Sequence, residues 1–274
     1  MKTIKLATVL SALLLTPLAM ANNYADDLQQ AVKHSTRSAS SISRDQYRHP
    51  VETLTFFGIT PSSTVVEISP GTGWYSEILA PLLAVSGTYY AAHFPAATTS
   101  DYYQRARAAF VEKLASDPAY NRVQLTEFAP NNHSNIAPEG SADVVLTFRN
   151  LHNWYSSGGD DGMVAIFKDF YKTLKPGGVL GVVEHRLPAD KMTGDWIKTG
   201  YFPQQLAISL AEQAGFVFEA SSEINANAND KADYAGGVWT LPPTLQLKEQ
   251  DKEKYLAIGE SDRMTLKFRK PVAK

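Results

Sequence analysis

The segment from Glu67 to Gly73 combines a carboxylate with two glycines at a point where the chain turns. It follows a short apolar run at residues 64–68, which predicts a buried strand because turn residues flank it. Gly71 and Gly73 let the backbone turn tightly and approach a ligand closely, and the helix that follows would offer free N–H groups. Glu67 at the strand end can accept hydrogen bonds from an amine. The alternative is a strand, turn and helix in which the glycines serve geometry alone.

The spacing of these glycines excludes two common phosphate-binding loops. The segment is not the G-x-G-x-x-G loop of dinucleotide-binding proteins, and it lacks the Gly-Lys-Ser/Thr ending of a nucleotide phosphate loop. A carboxylate at the end of the strand favours a cationic or amine-bearing ligand over a pyrophosphate.

A second group of polar side chains follows the apolar run at residues 143–148. This group consists of Arg149, Asn150, His152 and Asn153. So many hydrogen-bonding groups directly after an apolar strand must either meet a ligand or be satisfied inside the protein. Arg149, Asn150 and His152 are therefore the candidate catalytic residues, with His152 as a general base near neutral pH. The alternative is the start of a helix with asparagine caps and a buried Trp154.

Two further polar segments could reach the same place. Residues 44–50 (Arg-Asp-Gln-Tyr-Arg-His-Pro) precede the first strand and could fold over the mouth of a site, or their Arg–Asp pairs could tether the N-terminal segment. Glu184, His185 and Arg186 end the predicted fifth strand. Neither the H-x-x-x-H nor the H-x-H spacing of metal ligands supports a metal site, so we predict none.

Strands and helices alternate along the chain in the order needed to position these residues. Seven predicted strands lie at residues 64–68, 88–92, 123–128, 143–148, 179–183, 216–219 and 264–268. Near-continuous apolar strands that alternate with helices are typical of a mostly parallel sheet with helices on both faces. The fold class is therefore α/β, with a seven-stranded sheet at residues 59–274 and an N-terminal helical segment or lid at residues 22–58.

The first 21 residues have the three parts of an export signal. Lys2 and Lys5 precede an apolar run at residues 6–18, and an A-x-A site follows at residues 19–21. The alternative is a membrane anchor, but the run is shorter than the ~20 apolar residues that a span needs, and Pro17 interrupts it. We predict an exported protein, periplasmic if the source is a Gram-negative bacterium.

Composition excludes several classes of function. The 274 residues include 26 Lys and Arg against 28 Asp and Glu, and a net charge of −2 gives no basic surface for nucleic acid. The chain has no cysteine, which excludes disulfides, cysteine nucleophiles and iron–sulfur clusters and fits an oxidising compartment. The expected partner is a small-molecule substrate, with neither nucleic acid nor stable membrane insertion.

Four segments in order resemble the motifs of class I S-adenosyl-L-methionine-dependent methyltransferases. They are residues 67–73, 141–146, 174–178 and 214–216, which resemble the first motif, the fourth strand, the turn before the fifth strand and the step into the sixth. In the first motif, Ser69 replaces a glycine. The resemblance covers roughly residues 50–225 and a last strand near 262–270, and it implies a Rossmann-like methyltransferase fold with S-adenosyl-L-methionine as cofactor.

The same resemblance implies roles for individual residues. Glu67 would meet the methionine amino group of the cofactor, and Ser69, Gly71 and Gly73 would line its methionine moiety.

Two further positions concern the adenosine part of the cofactor. His93 stands where the family has an acid for the ribose hydroxyls, and Glu127 matches the position of an acid that contacts adenine, unless it is an ordinary surface residue. Residues 48–58 and 147–154, together with the export signal, resemble a subgroup of exported bacterial proteins predicted to be methyltransferases.

The leading hypothesis is a methyltransferase that acts on an unidentified small molecule in the cell envelope. The alternative is a catalytically degenerate ligand-binding protein with the same fold, which Ser69, His93 and the export signal favour. An envelope interaction protein is a third hypothesis, suggested by the 13 Tyr, 12 Phe and 4 Trp residues.

Overall fold

The computed structural model describes residues 17–130, 135–192 and 194–272, with side chains described from residue 24 onward. The predicted signal peptide therefore lies largely outside the described residues. Within these ranges, the protein has no helix both long and apolar enough to cross a membrane.

Four helices form the N-terminal segment. They are α1 (Pro17–Ala31), α2 (Ala39–Ile42), α3 (Asp45–Arg48) and α4 (Pro50–Phe56). Pro50 lies in the first turn of α4, where its missing N–H costs no hydrogen bond, and Gly58 follows the helix with a φ of 77°. A proline at the start and a glycine after the end therefore set the bounds of α4.

Eight strands form one sheet. They are β1 (Thr64–Ile68), β2 (Thr88–His93), β3 (Val123–Glu127), β4 (Ala142–Phe148), β5 (Leu174–Leu187), β6 (Phe202–Pro203), β7 (Val217–Ser222) and β8 (Arg263–Arg269). The order is β3-β2-β1-β4-β5-β8-β7, and the two-residue β6 pairs with β5 alone. The first five strands are parallel, whereas β8 is antiparallel to both of its neighbours. The predicted seven-stranded, mostly parallel sheet is confirmed, with β6 added.

Helices cover both faces of the sheet. The remaining helices are α5 (Ser76–Leu83), α6 (Asp101–Ser116), α7 (Leu151–Thr173), α8 (Gln204–Gln213) and α9 (Lys252–Ile258). Alternate side chains of β1 enter different cores, since Val65 packs with Leu54 of α4 and Ile78 of α5, whereas Val66 packs with Phe167 of α7. The central strands β1, β4 and β5 are apolar on both sides because both sides are buried.

Helix α7 begins at Leu151, well before Met163, where the apolar periodicity of the sequence begins. Gly159 (φ 56°, ψ −155°) interrupts the helical backbone, so two helical pieces join at a kink. The apolar periodicity belongs to the second piece, which is why the sequence signal begins only at Met163.

The register of the strands brings three chain segments to one edge. Ile68 of β1 pairs with Thr147 of β4, and Phe148 of β4 pairs with Val183 of β5, so the residues that follow these strands lie side by side. The strand order reverses between β1 and β4, which is where open α/β sheets bind ligands.

Candidate active site at the carboxyl edge of the sheet

A cavity of about 760 Å³ lies at this edge, within the size range of small-molecule sites. Five parts of the chain line it: the N-terminal segment, the loop after β1, the region after β2, the start of α7, and the turn at Gly237–Thr240. The predicted site residues on its wall are Glu67, Ser69, Gly71, Arg149 and Asn150. Gly73, His93, Glu127 and His152 lie elsewhere, and each has a different structural environment.

The loop after β1 has an unusual backbone. Ser69 (φ 51°) and Gly71 (φ 61°) both adopt left-handed conformations, which cost a serine of order 1–3 kcal/mol and cost glycine little. The Ser69 hydroxyl is buried without a hydrogen-bond partner in the described structure, and the space beside Gly71 where a Cβ would stand is open. Strain together with an unsatisfied buried hydroxyl marks a ligand-binding loop.

Gly73 (φ 79°) serves packing. A Cβ at this position would stand 2.8 Å from the ring of Phe110 on α6, so only glycine allows this approach. The residue does not line the cavity, which differs from the role that the sequence implied.

Glu67 is 2% exposed and faces the cavity at the end of β1. Its Oε2 accepts hydrogen bonds from the Tyr89 hydroxyl (2.5 Å) and the Ser76 hydroxyl (3.0 Å), whereas Oε1 has no hydrogen-bond partner among the described residues. Burial raises the pKa of Glu67 to about 7, although both hydroxyls favour its ionised form. A ligand cation at Oε1 would therefore meet an oxygen without a protein partner, and it would favour the ionised form of a carboxyl group that is about half ionised near neutral pH.

His93 lies beneath the loop after β1 instead of on the cavity wall. Its Nδ1 accepts from the backbone N–H of Phe94 (2.8 Å), which leaves the proton on Nε2 to be donated to the carbonyl of Gly71 (2.9 Å). Burial lowers the pKa of His93 to about 4, so the ring is neutral. Both nitrogens are used internally, and the implied contact with ribose hydroxyls does not fit this placement.

Glu127 lies at the surface, as the alternative interpretation held. Its side chain is 43% exposed, accepts from the N–H of Ala96 (3.0 Å) and lies 3.2 Å from Nη2 of Arg107. It stabilises the loop after β2 and does not line the cavity, so the implied adenine contact does not fit either.

Aromatic side chains occupy this end of the cavity, and the sequence analysis missed them. Phe94 and Tyr103 stack with ring centroids 4.0 Å apart, and Tyr102 lines the same wall although it is 65% exposed. The available signal was a pair of tyrosines on the polar side of the helix that follows β2. Aromatic faces of this kind suit a flat ring such as a nucleobase.

Arg149 and Asn150 lie on the cavity wall, as predicted. The Arg149 guanidinium makes no hydrogen bond to any residue that the structure describes, while its backbone (φ 60°) donates to the carbonyl of Val183 at 2.7 Å. The Asn150 amide donates to the carbonyl of Ile68 (3.2 Å) and to the Thr147 hydroxyl (3.1 Å), which ties the ends of β1 and β4 together.

His152 is 7% exposed and lies beside the cavity without lining it. Its Nδ1 lies 3.1 Å from Oε1 of Glu184, and its ring lies 6.1 Å from that of Trp239, which does line the cavity. Glu184 also accepts from the backbone N–H groups of Leu151 (2.6 Å) and His185 (2.7 Å), so it caps the N-terminus of α7.

His152, Glu184 and His185 come within 4.8 Å of one another through one possible ligand atom each. This triad joins α7 to β5, and a search for spacings along the chain cannot detect it. Both Glu184 oxygens already accept backbone hydrogen bonds, and His185 Nδ1 lies 2.5 Å from the Ser261 hydroxyl. The absence of a metal stays a prediction.

The N-terminal segment reaches the cavity and is also tethered. Arg44 and Arg48 line the wall, and the guanidinium of Arg48 lies 4.6 Å from the ring centroid of Trp74. Arg37 and Asp45 form two hydrogen bonds of 2.7 Å. Both interpretations of residues 44–50 therefore correspond to contacts in the structure.

Comparison with known proteins shows similarity in fold. No protein-family model matches the chain, and no curated protein matches it. A SAM-dependent methyltransferase from Aquifex aeolicus matches with a TM-score of 0.54 at 14% identity, over 90% of this chain and 98% of that chain. Geranyl diphosphate C-methyltransferase from Streptomyces coelicolor A3(2), solved with S-adenosyl-L-homocysteine, matches with a TM-score of 0.55 at 10% identity, over 88% of this chain and 84% of that chain. The [4+2]-cyclase SpnF matches with a TM-score of 0.56 at 17% identity, over 93% of this chain and 96% of that chain.

These matches confirm the Rossmann-like methyltransferase fold that the four segments predict. Identities of 10–17% show the fold alone, and one of the three matches is a cyclase by name. The reaction must therefore be argued from the residues of the cavity.

Proposed function

We propose that the protein binds S-adenosyl-L-methionine in this cavity and transfers its methyl group to a small-molecule acceptor. The observation that carries this proposal is the pairing of a carboxylate and a strained loop at the reversal of strand order. Glu67 Oε1 and the Ser69 hydroxyl both lack partners among the described residues, and both face the cavity.

The residues on the wall fit the cofactor. Glu67 would hold the ammonium group of its methionine part, because this carboxylate has one unpartnered oxygen and a pKa near neutrality. Gly71 leaves open space for close approach, and the Ser69 hydroxyl supplies a hydrogen bond. Phe94 and Tyr103 offer stacked rings for the adenine, which compensates for the absence of an acid there.

The bound cofactor supplies an electrophilic methyl group on a sulfonium, so the protein has mainly to position the acceptor. Asn150 fixes the ends of β1 and β4 at the wall. Where the acceptor must lose a proton, we propose that His152 receives it on Nε2 while Glu184, at Nδ1, orients the ring. This role requires a rearrangement that brings the ring of His152 to the cavity, since His152 does not line it.

Binding is tested by calorimetry on the full chain with S-adenosyl-L-methionine and S-adenosyl-L-homocysteine. We expect both to bind and Glu67→Ala to weaken both. Methylthioadenosine, which lacks the amino-acid end, should bind equally well to wild type and to Glu67→Ala. If neither cofactor species binds, the proposed function is wrong.

The competing candidate is a ligand-binding protein without catalysis. The placement of His93 and Glu127 away from the cavity favours it. These are the two positions at which the family has acids that contact adenosine, and neither residue here reaches the cavity to make such a contact. Incubating the chain with cofactor that carries a deuterated methyl group, in an extract of the source cells, separates the two. If the protein is a methyltransferase, the wild type adds the deuterated methyl group to a small molecule and the Glu67→Ala variant does not. If it is a binding protein, neither the wild type nor the variant adds the label.

We also propose that the protein is exported, on the basis of its first 21 residues. Fractionation of source cells should find it outside the cytoplasm with residues 1–21 removed. Recovery of the uncleaved chain in the cytoplasm would exclude export.

A further inference from the structure

Four arginines surround a single buried carboxylate beside the cavity. This arginine cluster consists of Arg44, Arg48, Arg149 and Arg263. Arg44 Nε lies 2.5 Å from Oε1 of Glu260, Arg48 Nε lies 3.4 Å from Oε2, and Arg263 also donates to Oε2. Burial opposes ionisation of Glu260, but these arginines together hold its pKa at about 2. Glu260 is thus an anion that neutralises one positive charge of the four.

Two arginines of the cluster that line the cavity, Arg48 and Arg149, have side-chain N–H groups without a hydrogen-bond partner among the described residues. Arg48 is 2% exposed, and its Nη1 is buried without a hydrogen-bond partner in the described ranges. Arg149 donates no side-chain hydrogen bond to a described residue. Burial lowers the pKa of both guanidiniums, and mutual repulsion within the cluster adds to this effect. A buried guanidinium with an unsatisfied N–H group is costly, so two such arginines beside a cavity are expected where an anionic ligand binds.

The neighbouring acids do not supply the missing charge. Glu184 is fully buried and accepts hydrogen bonds from the backbone of Leu151 and His185 at the start of α7. Glu67 has a pKa near neutrality and is the proposed partner of the cofactor's ammonium group. Asp45 on α3 is paired with Arg37.

The cofactor does not supply the charge either. It carries one carboxylate, one ammonium and one sulfonium, so its binding adds a net positive charge to the site. Even if its carboxylate met one arginine, the cluster would keep an excess of positive charge. Charge balance therefore requires an anion from the acceptor.

We infer that the methyl acceptor carries an oxyanion, a carboxylate or a phosphate group, which Arg149 and Arg48 bind. This inference rests on the proposed function and names the substrate class of the same site. The planar guanidinium group matches both kinds of oxyanion, to which it can donate two hydrogen bonds. Beside the arginines, the stacked rings of Tyr75 and Phe148 (3.7 Å between centroids) line the cavity and offer a surface for an apolar body.

The test uses benzoate and phenyl phosphate as probes, with benzamide as the neutral control of similar shape. Each is titrated calorimetrically into the full chain, first alone and then saturated with S-adenosyl-L-homocysteine. We expect the two anions to bind at least about tenfold more tightly than benzamide, because only the anions can form charge-assisted bidentate hydrogen bonds with an arginine. Equal affinity for benzoate and benzamide would overturn the inference.

Arg149→Gln and Arg149→Lys assign the effect to the cluster. Arg149→Gln should lose most of the preference for anions, Arg149→Lys should keep part of it, and both should bind S-adenosyl-L-homocysteine within about twofold of wild type. The matched control is Arg122→Gln, since Arg122 is exposed and donates to the backbone of Ala84 away from the cavity. Retention of the preference in Arg149→Gln contradicts the assignment.

The cofactor carboxylate is the competing anion, and methylthioadenosine distinguishes it. If Arg149→Gln weakens S-adenosyl-L-homocysteine but not methylthioadenosine, and leaves benzoate unchanged, the arginines recognise the cofactor and the inference is wrong. A different result is expected if the proposed function itself is wrong. In that case no cofactor species binds, while Arg149-dependent binding of benzoate to the cofactor-free chain still supports the oxyanion site.

Discussion

The neutral imidazole of His93 donates a hydrogen bond to the backbone carbonyl of Gly71 across 2.9 Å, from beneath the loop that faces the cavity. The second ring nitrogen accepts from the N–H of Phe94, the residue that begins the aromatic wall. One buried side chain therefore connects the two ends of the proposed cofactor site. It acts on the shape of both loops and does not itself touch the cavity.

Replacing His93 tests this connection. His93→Ala leaves the partly buried carbonyl of Gly71 and the partly buried N–H of Phe94 without their protein partner, which costs at most about 1–3 kcal/mol for each group. We expect a lower melting temperature and about tenfold weaker binding of S-adenosyl-L-homocysteine. His93→Asn should recover part of both losses, because its amide can still donate to Gly71. Tighter binding by His93→Asp would instead show that the position serves the ribose hydroxyls.

Glu67 makes ligand binding depend on pH. Its pKa of about 7 means that the unliganded site is largely neutral at pH 6, whereas an ammonium group requires the ionised form. The affinity for S-adenosyl-L-homocysteine should therefore rise with pH and level off above about 7, with a slope approaching tenfold per pH unit on the acid side. Glu67→Gln should bind weakly and show no such slope. A slope of equal size in that variant would assign the titration to another group.

The same carboxyl group makes the unliganded protein less stable at high pH. Its pKa is raised in the folded state from 4.5 to about 7, so the folded state binds more protons and stability falls as the pH rises through this window. The full cost is about 3 kcal/mol above pH 7 and vanishes below about pH 4.5. Glu67→Gln should therefore raise the melting temperature at pH 8 and change it little at pH 4.5. An equal effect at both pH values would contradict this explanation.

The local features of the site could be predicted from the sequence. The apolar run before Glu67, the glycines after it and the polar group after β4 are contiguous in the chain, and parallel strands bring their carboxyl ends to one edge. Glu67, Ser69, Gly71, Arg149 and Asn150 accordingly lie on the cavity wall. The order of the motifs was enough to predict the fold because the central strands β1, β4 and β5 are mostly buried and therefore read as apolar runs.

The remaining features depend on contacts that spacing does not encode. His93 and Glu127 occupy the predicted strand ends, but the acceptor at Gly71 and the cation of Arg107 decide where their side chains lie. The contact between Arg48 and Glu260 joins residues 212 positions apart. Side-chain direction and long-range pairing, rather than the elements themselves, separate the predicted site from the observed one.

Gly71 and Gly73 should respond differently to alanine. Gly73→Ala would place a Cβ 2.8 Å from Phe110, so we expect a loss of about 1–3 kcal/mol in the free energy of unfolding with little change in ligand affinity. Gly71→Ala meets no atom within 4 Å but projects from the loop at the cavity wall, so it should mainly weaken S-adenosyl-L-homocysteine. Denaturant melts and calorimetry on both variants give the comparison. The reverse pattern would place Gly73, not Gly71, at the ligand.

Substitutions at Glu184 and His152 distinguish a structural role of this pair from a role in proton transfer. Glu184→Gln keeps one side-chain oxygen and replaces the other with an NH₂ donor. One of the two backbone N–H groups that now donate to Glu184, those of Leu151 and His185, therefore loses its acceptor, and the protein should be destabilised by about 1–3 kcal/mol. His152→Gln removes one contact to that carboxylate and should cost less, with binding of S-adenosyl-L-homocysteine within about twofold of wild type because the ring does not line the cavity. Thermal melts and calorimetry measure both effects. A large loss of cofactor affinity in His152→Gln would show that the ring reaches the cavity when the ligand is bound, as its proposed role as a base requires.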